Sequence, residues 1–218
     1  MPNKIILKKK ISNFYKKIFI PGDKSISIRW ILISSLASGI SKAENLLTSH
    51  DVMASINAIK KLGVKVFINK NICKIHGVGV GGYKYKKNII INAQNSGTLG
   101  RLITGILIDT PFPIKIIGDK SLSRRDFRRI TEPLSKFGAS FNLKNNSKLP
   151  LVIKGSSKLK SIKFFENKGS AQCKNSVIFG GIKAEGKTII KAKKSRNHTE
   201  LLFQHLKLPI KIKKNKNF

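Results

Sequence analysis

The chain has 218 residues, 40% of them apolar, and sets 44 lysines and arginines against 10 aspartates and glutamates for a formal net charge of +34. That apolar share over this length supports a buried core and excludes wholesale disorder, and two cysteines a hundred positions apart (Cys73, Cys173) make neither a disulfide framework nor a metal cluster. The longest apolar stretch, residues 30–37, is broken by Ser34 and Ser35 and the basic N-terminus has no apolar run behind it, so neither a bilayer span nor a secretory signal is expected, and the location is expected to be cytoplasmic.

Residues 4–11 read as an extended run. A polar turn follows, Pro21-Gly22-Asp23-Lys24-Ser25, ahead of an apolar, helix-like stretch at 30–36. Residues 55–63 (SINAIKKLG) predict an amphipathic helix with Asp51 as its N-cap and Gly63 as its stop. A hairpin comes next, 64–68 paired with 72–76. The order then repeats. The turn Asn95-Ser96-Gly97-Thr98 precedes a helix-like stretch at 102–108, and 129–138 (RITEPLSKFG) predicts a helix that Pro133 kinks or shortens. Strands are expected at 139–143 and 149–154. The third turn, Gly169-Ser170-Ala171-Gln172, precedes 177–182, a helix is expected at 200–207, and one strand at 209–213.

Three copies of one βαβαββ unit account for this order, at about 21–90, 91–160 and 161–218, with Ser25, Ser96 and Ser170 in matching turns. The last copy stops in mid-hairpin, and residues 1–20 fit none of the three. An unpaired edge at one end and a spare strand at the other lead us to expect a second domain that both would join. On this reading 1–20 is a strand region reaching toward that domain, and 21–218 is the first domain.

The charge alone suggests nucleic acid. However, only seven of the 44 basic residues are arginine, and the lysines are scattered through a chain with 17 asparagines, so compositional drift explains most of it. No zinc-finger spacing, basic zipper or aromatic RNA-binding signature is present, and no specific nucleic acid or membrane partner is expected. The repeat turns are more informative. A Gly/Ser-rich turn opening a helix offers backbone N–H groups and the positive end of the helix dipole to an anion. These turns and their surroundings also carry Lys24, Arg29, Arg101, Arg125 and Arg196. Arginine's planar fork matches carboxylate and phosphate, so a small, multiply anionic ligand between units is expected.

Five motifs carry a resemblance. Residues 21–29 (PGDKSISIR), 95–101 (NSGTLGR), 118–125 (GDKSLSRR), 170–175 (SAQCKN) and 195–200 (SRNHTE) resemble, in order, the signatures of the 3-phosphoshikimate 1-carboxyvinyltransferase family, the 5-enolpyruvylshikimate-3-phosphate synthases. The related UDP-N-acetylglucosamine enolpyruvyl transferases share the fold but carry Lys-Asn where this chain has Lys24-Ser25.

The resemblance implies an inside-out α/β barrel-type architecture of two domains, each of three βαβαββ units, with the second domain missing here. It implies enolpyruvyl transfer from phosphoenolpyruvate to shikimate 3-phosphate, a step of the shikimate pathway toward chorismate and the aromatic amino acids, with no metal or organic cofactor. Lys24, Gly97 and Arg125 match phosphoenolpyruvate contacts. Ser25 and Arg29 match positions at the shikimate carboxylate and ring, Ser170 and Ser195 hydroxyls on its phosphate with Arg196 as charge partner, and Gln172 a residue beside both substrates. Catalytic acid and base are expected in the missing domain, so a second-domain polypeptide is the implied partner. A binding-only module, or a basic nucleic-acid binder on an old enzyme scaffold, are the alternatives. The chain departs from the family pattern at Ile28, Gly100 and Asp126. These are expected to remove a polar group near the site, to weaken a helix, and to set a carboxylate beside the Arg125 guanidinium.

Overall fold

The repeat shows in the order of the elements. A computed structural model describes residues 6–213 apart from 11, 14 and 19. The first unit runs α1 (Lys24–Leu36), β1 (Ser38–Glu44), α2 (His50–Lys61), then a hairpin of β2 (Lys65–Asn69) and β3 (Ile72–Val78). The second runs β4 (Ile90–Asn92), α3 (Gly97–Ile106), β5 (Ile114–Ile117), the single turn α4 (Lys120–Ser123), α5 (Arg128–Ser135), β6 (Ser140–Lys144) and β7 (Lys148–Lys154). The third holds β8 (Lys163–Glu166), α6 (Ala171–Gly181), β9 (Ile189–Ala192) and α7 (His198–His205).

Each unit has its own sheet. The second is the fullest, β4-β5-β7-β6, with β4 and β5 parallel and the other pairs antiparallel. The first, β1-β3-β2, repeats that order, with no counterpart of β4 among the described residues. The third, parallel β8-β9, repeats β4-β5, with no hairpin among the described residues. The helices lie inside and the sheets outside, the reverse of an ordinary α/β layer arrangement. α1, α3 and α6 bury residues on all sides, as helices in a core must, and β2 is largely exposed.

Close helix packing depends on small residues. A methyl group on Gly105 of α3 would sit 2.1 Å from the Ser176 carbonyl oxygen of α6, and the Ser176 hydroxyl donates to the Arg101 carbonyl at 2.9 Å. Gly100, in the same helix, differs: a methyl there would meet Ala93, Phe127 and Leu122 at 3.5–3.7 Å, ordinary contact distances. Glycine inside a helix costs about 0.5–1 kcal/mol relative to alanine through backbone entropy. Gly100→Ala is therefore expected to raise stability by about that amount. A lower denaturation midpoint would contradict the spacing around Gly100.

The far ends of the interior helices meet around a buried lysine. Lys183, just past α6, has a side chain 1% exposed; its Nζ donates to the Ile106 carbonyl of α3 at 2.5 Å and to Asp109 at 2.6 Å. It lies 5.9 Å from the Tyr83 ring centroid, and Tyr83 shares a 2.7 Å hydrogen bond with Ser35 near the end of α1. Burial lowers the Lys183 pKa, and Asp109 works against that.

Several expectations are corrected. α2 starts at His50, with Ser49 in the cap position, and Asp51 lies in its first turn instead of capping it. The stop at Gly63 holds: at φ +88° its N–H bonds the Lys60 carbonyl, and Val64 N–H bonds that of Ile59. Pro133 sits inside α5, which ends at Ser135, three residues short of the expected boundary. Residues 209–213 form no strand. Of the run at 4–11, residues 6–10 form none either, and 4, 5 and 11 lie outside the described residues.

Candidate functional site

Three helices begin alike. Asp23 accepts the N–H of Ile26 at 2.8 Å, Ser96 that of Leu99 at 3.2 Å and Ser170 that of Cys173 at 3.3 Å. These caps stand 73 and 74 residues apart, so the first unit's counterpart of Ser96 is Asp23 and not Ser25. A serine cap accepts with its oxygen and keeps its own O–H to donate elsewhere.

Side chains then join the units. Between the second and third, Gln172 donates from Nε2 to Thr98 Oγ1 at 3.1 Å and accepts from Arg101 through Oε1. Between the first and third, Arg29 donates from Nε to Thr199 Oγ1 at 2.8 Å, and from Nη1 to its own helix at the Ser25 carbonyl, also 2.8 Å. Ser170, Gln172, Ser195 and Arg196 line one depression of about 270 Å3 together with Gly169 and Ala171. The Ser195 hydroxyl oxygen is buried there and has no hydrogen-bond partner among the described residues. Leaving such a group unpaired costs about 1–3 kcal/mol, so the position suits an incoming acceptor.

The electrostatics are one-sided. Burial first, and the neighbouring Arg196 second, lower the pKa of the Arg29 guanidinium against the opposing pull of Glu200 and Asp23. Burial likewise lowers that of Arg101; Cys173 opposes it, and Arg125 and Arg129 add to it. The Gly97 backbone lies against this group, since a methyl there would meet Arg125 Nη1 at 2.9 Å and Arg101 Nη1 at 3.6 Å. Cations held this close favour an anion between them.

Lys24 stands apart, paired with Asp51 at 3.0 Å and half exposed. Arg125 donates to Asn95 at 3.2 Å, and Asn95 in turn donates to Asp119 at 2.7 Å. Asp126 does not face Arg125. Its carboxylate takes Arg128 Nη2 at 2.6 Å and the Arg128 backbone N–H at 2.8 Å, at the start of α5. Ile28 is wholly buried in the main apolar cluster, so it packs the core and does not line the site. Cys173 is buried in the smaller cluster, as a small apolar residue would be.

Three residues outside the expected set support it. Thr199 holds Arg29. Lys174, buried on α6, pairs with Glu200 at 2.5 Å and donates to the Arg196 carbonyl at 3.2 Å, fixing the strand-to-helix turn that carries Ser195. Glu166, at the end of β8, accepts the backbone N–H groups of Lys168 at 3.2 Å and Ser170 at 2.8 Å. An acidic residue four positions before a helix cap was the available signal for it.

The model of the EPSP synthase (3-phosphoshikimate 1-carboxyvinyltransferase) family matches residues 8–218. The 3-phosphoshikimate 1-carboxyvinyltransferase of Caldicellulosiruptor bescii is 43% identical over 196 residues, 89% of this chain and 45% of that protein. That of Streptococcus suis is 40% identical over 196 residues, 89% of this chain and 46% of that protein. The EPSP synthase structure from Acinetobacter baumannii superposes with a TM-score of 0.84 at 32% identity, over 93% of this chain and 45% of that one. The chain thus spans about 45% of the length of these relatives, which share its inside-out α/β fold.

Proposed function

The chain belongs to the EPSP synthase (3-phosphoshikimate 1-carboxyvinyltransferase) family, and from that premise we propose that it forms one wall of a site for shikimate 3-phosphate and phosphoenolpyruvate. In the family reaction the 5-hydroxyl of shikimate 3-phosphate adds to the enolpyruvyl carbon. A proton adds to the methylene carbon as the hydroxyl proton is lost, and the tetrahedral ketal then gives up a proton from the new methyl group as it expels inorganic phosphate, which restores the enol ether. Both substrates are polyanions, which suits a cleft whose cations outnumber its free carboxylates.

The geometry supports the following roles. Ser170 keeps an O–H for the shikimate phosphate, and Ser195, whose buried hydroxyl is unpartnered, lines the same depression, as does Arg196. Arg29, held on two sides by Thr199 and the Ser25 carbonyl, presents a fixed cation to the carboxylate, with Ser25 next to it. Gly97 lets the backbone of α3 lie against Arg125, a pair suited to phosphoenolpyruvate, and Lys24 adds a charge once it leaves Asp51. Gln172 bridges the two halves.

The buried, unpaired Ser195 hydroxyl beside Ser170 is the observation that carries this reading. Hydrogen bonds to charged groups contribute about 1.5–3 kcal/mol, or roughly ten- to a hundredfold in affinity. Ser170→Ala and Ser195→Ala are each expected to weaken shikimate 3-phosphate binding by at least about tenfold by calorimetry and to leave shikimate binding unchanged. Parent-like affinity in both variants would remove these hydroxyls from the phosphate site.

A further inference from the structure

Glu166 is a buried carboxylate, 4% exposed, that the proposed binding roles leave unused. Both of its oxygens are spent on the turn that leads into α6. Oε2 accepts the Ser170 N–H at 2.8 Å, and Oε1 accepts the Lys168 N–H at 3.2 Å. Arg129 Nη2 lies 3.9 Å from Oε1, which ties the same carboxylate to the arginine group of the second unit. The Glu166 backbone is itself anchored, its carbonyl accepting the Lys193 N–H at 2.9 Å.

This arrangement changes what the third turn can offer an anion. The Ser170 N–H, which a phosphate would otherwise recruit, is already taken by a negative charge. Of the two donors that Ser170 carries, only the side-chain hydroxyl is left, and its direction depends on the backbone that Glu166 holds. We infer that Glu166 is a positioning residue for phosphate recognition: it fixes the 167–170 turn so that Ser170 meets the ligand through its hydroxyl and not through its backbone N–H. This rests on the reading of Ser170 as a phosphate contact.

Glu166→Gln keeps the shape but sets an NH2 group against one of the two backbone N–H donors, which frees the turn. The test is a double-mutant cycle on the 218-residue chain, with shikimate 3-phosphate and shikimate as separate titrants. Glu166→Gln is expected to weaken shikimate 3-phosphate binding about tenfold and to leave shikimate binding unchanged. In the Ser170→Ala background the same substitution is expected to cost nothing further. A general loosening of the fold would instead weaken both ligands and add to Ser170→Ala. Either of those outcomes, or full affinity in Glu166→Gln while Ser170→Ala is impaired, overturns the inference and leaves the phosphate reading standing. Full affinity in Ser170→Ala overturns both. If Glu166→Gln does not fold, amide exchange in the parent chain decides: Ser170 N–H is expected to be protected, and fast exchange there refutes the contact.

Discussion

Gly105→Ala is expected to cost on the order of 3 kcal/mol of stability, the upper end of what overpacking a core does. The added methyl would lie 2.1 Å from the Ser176 carbonyl oxygen, and that contact is backbone, which cannot rotate away. α3 and α6 must separate, and with them the 2.9 Å bond from Ser176 to the Arg101 carbonyl and the Gln172 bridge one turn earlier. The same substitution at Gly100, in the same helix, is expected to stabilise, so the pair separates crowding from helix propensity. Chemical denaturation of the two variants beside the parent checks it. A Gly105→Ala midpoint at or above the parent's would mean the two helices do not cross this closely.

Turnover by this chain alone is expected to be absent. Enolpyruvyl transfer needs a proton delivered to the methylene carbon and one removed from the attacking hydroxyl, and a positioned acid or base typically contributes about 10²–10⁴-fold each. Each carboxylate near the site is tied to a partner, and only Glu200 keeps one buried oxygen, Oε2, unpaired among the described residues. Asp51 pairs with Lys24, Asp126 with Arg128 and Glu200 with Lys174; Asp119 caps α4, and Glu166 holds two backbone N–H groups. Phosphate release from the two substrates is therefore expected at the uncatalysed rate, while shikimate 3-phosphate still binds. Adding the C-terminal half of a relative such as the Caldicellulosiruptor bescii protein in trans is expected to restore release, and Lys24→Ala to abolish it again. Release by the isolated chain at a rate that depends on Lys24 would overturn this expectation.

Much of the architecture could be read locally, since its signals are local. Gly63 ends α2 with the two hydrogen bonds that its position implies, and the hairpins of the first two units fall within two residues of their expected bounds. Misreadings came where partners are distant or where one residue type serves two ends. Asp51 looks like a cap in sequence, but its carboxylate meets Lys24, 27 positions away. Asp126 stands next to Arg125, yet the start of α5 turns it to Arg128. Residues 209–213 alternate like a strand, but a strand requires a ladder partner, and among the described residues there is none for them. The five motifs contain all the proposed binding residues and also Thr199 and Lys174, yet nothing in them marked these two as supports, because they act through contacts made only in the folded chain.

The buried Lys183 gives the molecule an electrical axis. α3 and α6 run side by side in one direction, touching near their starts through Thr98 and Gln172 and near their ends through Ile106 and Lys183. The carbonyl-rich pole of α3 is thus met by a buried ammonium, which the Asp109 carboxylate also engages at 2.6 Å. At the opposite pole, where Ser96 and Ser170 begin the helices, Glu166 covers the Ser170 N–H on the α6 side, while the first turn of α3 contains no acidic residue. A polyanion arriving at the start of α3 would meet the pole that the fold leaves open, opposite the one that Lys183 already occupies.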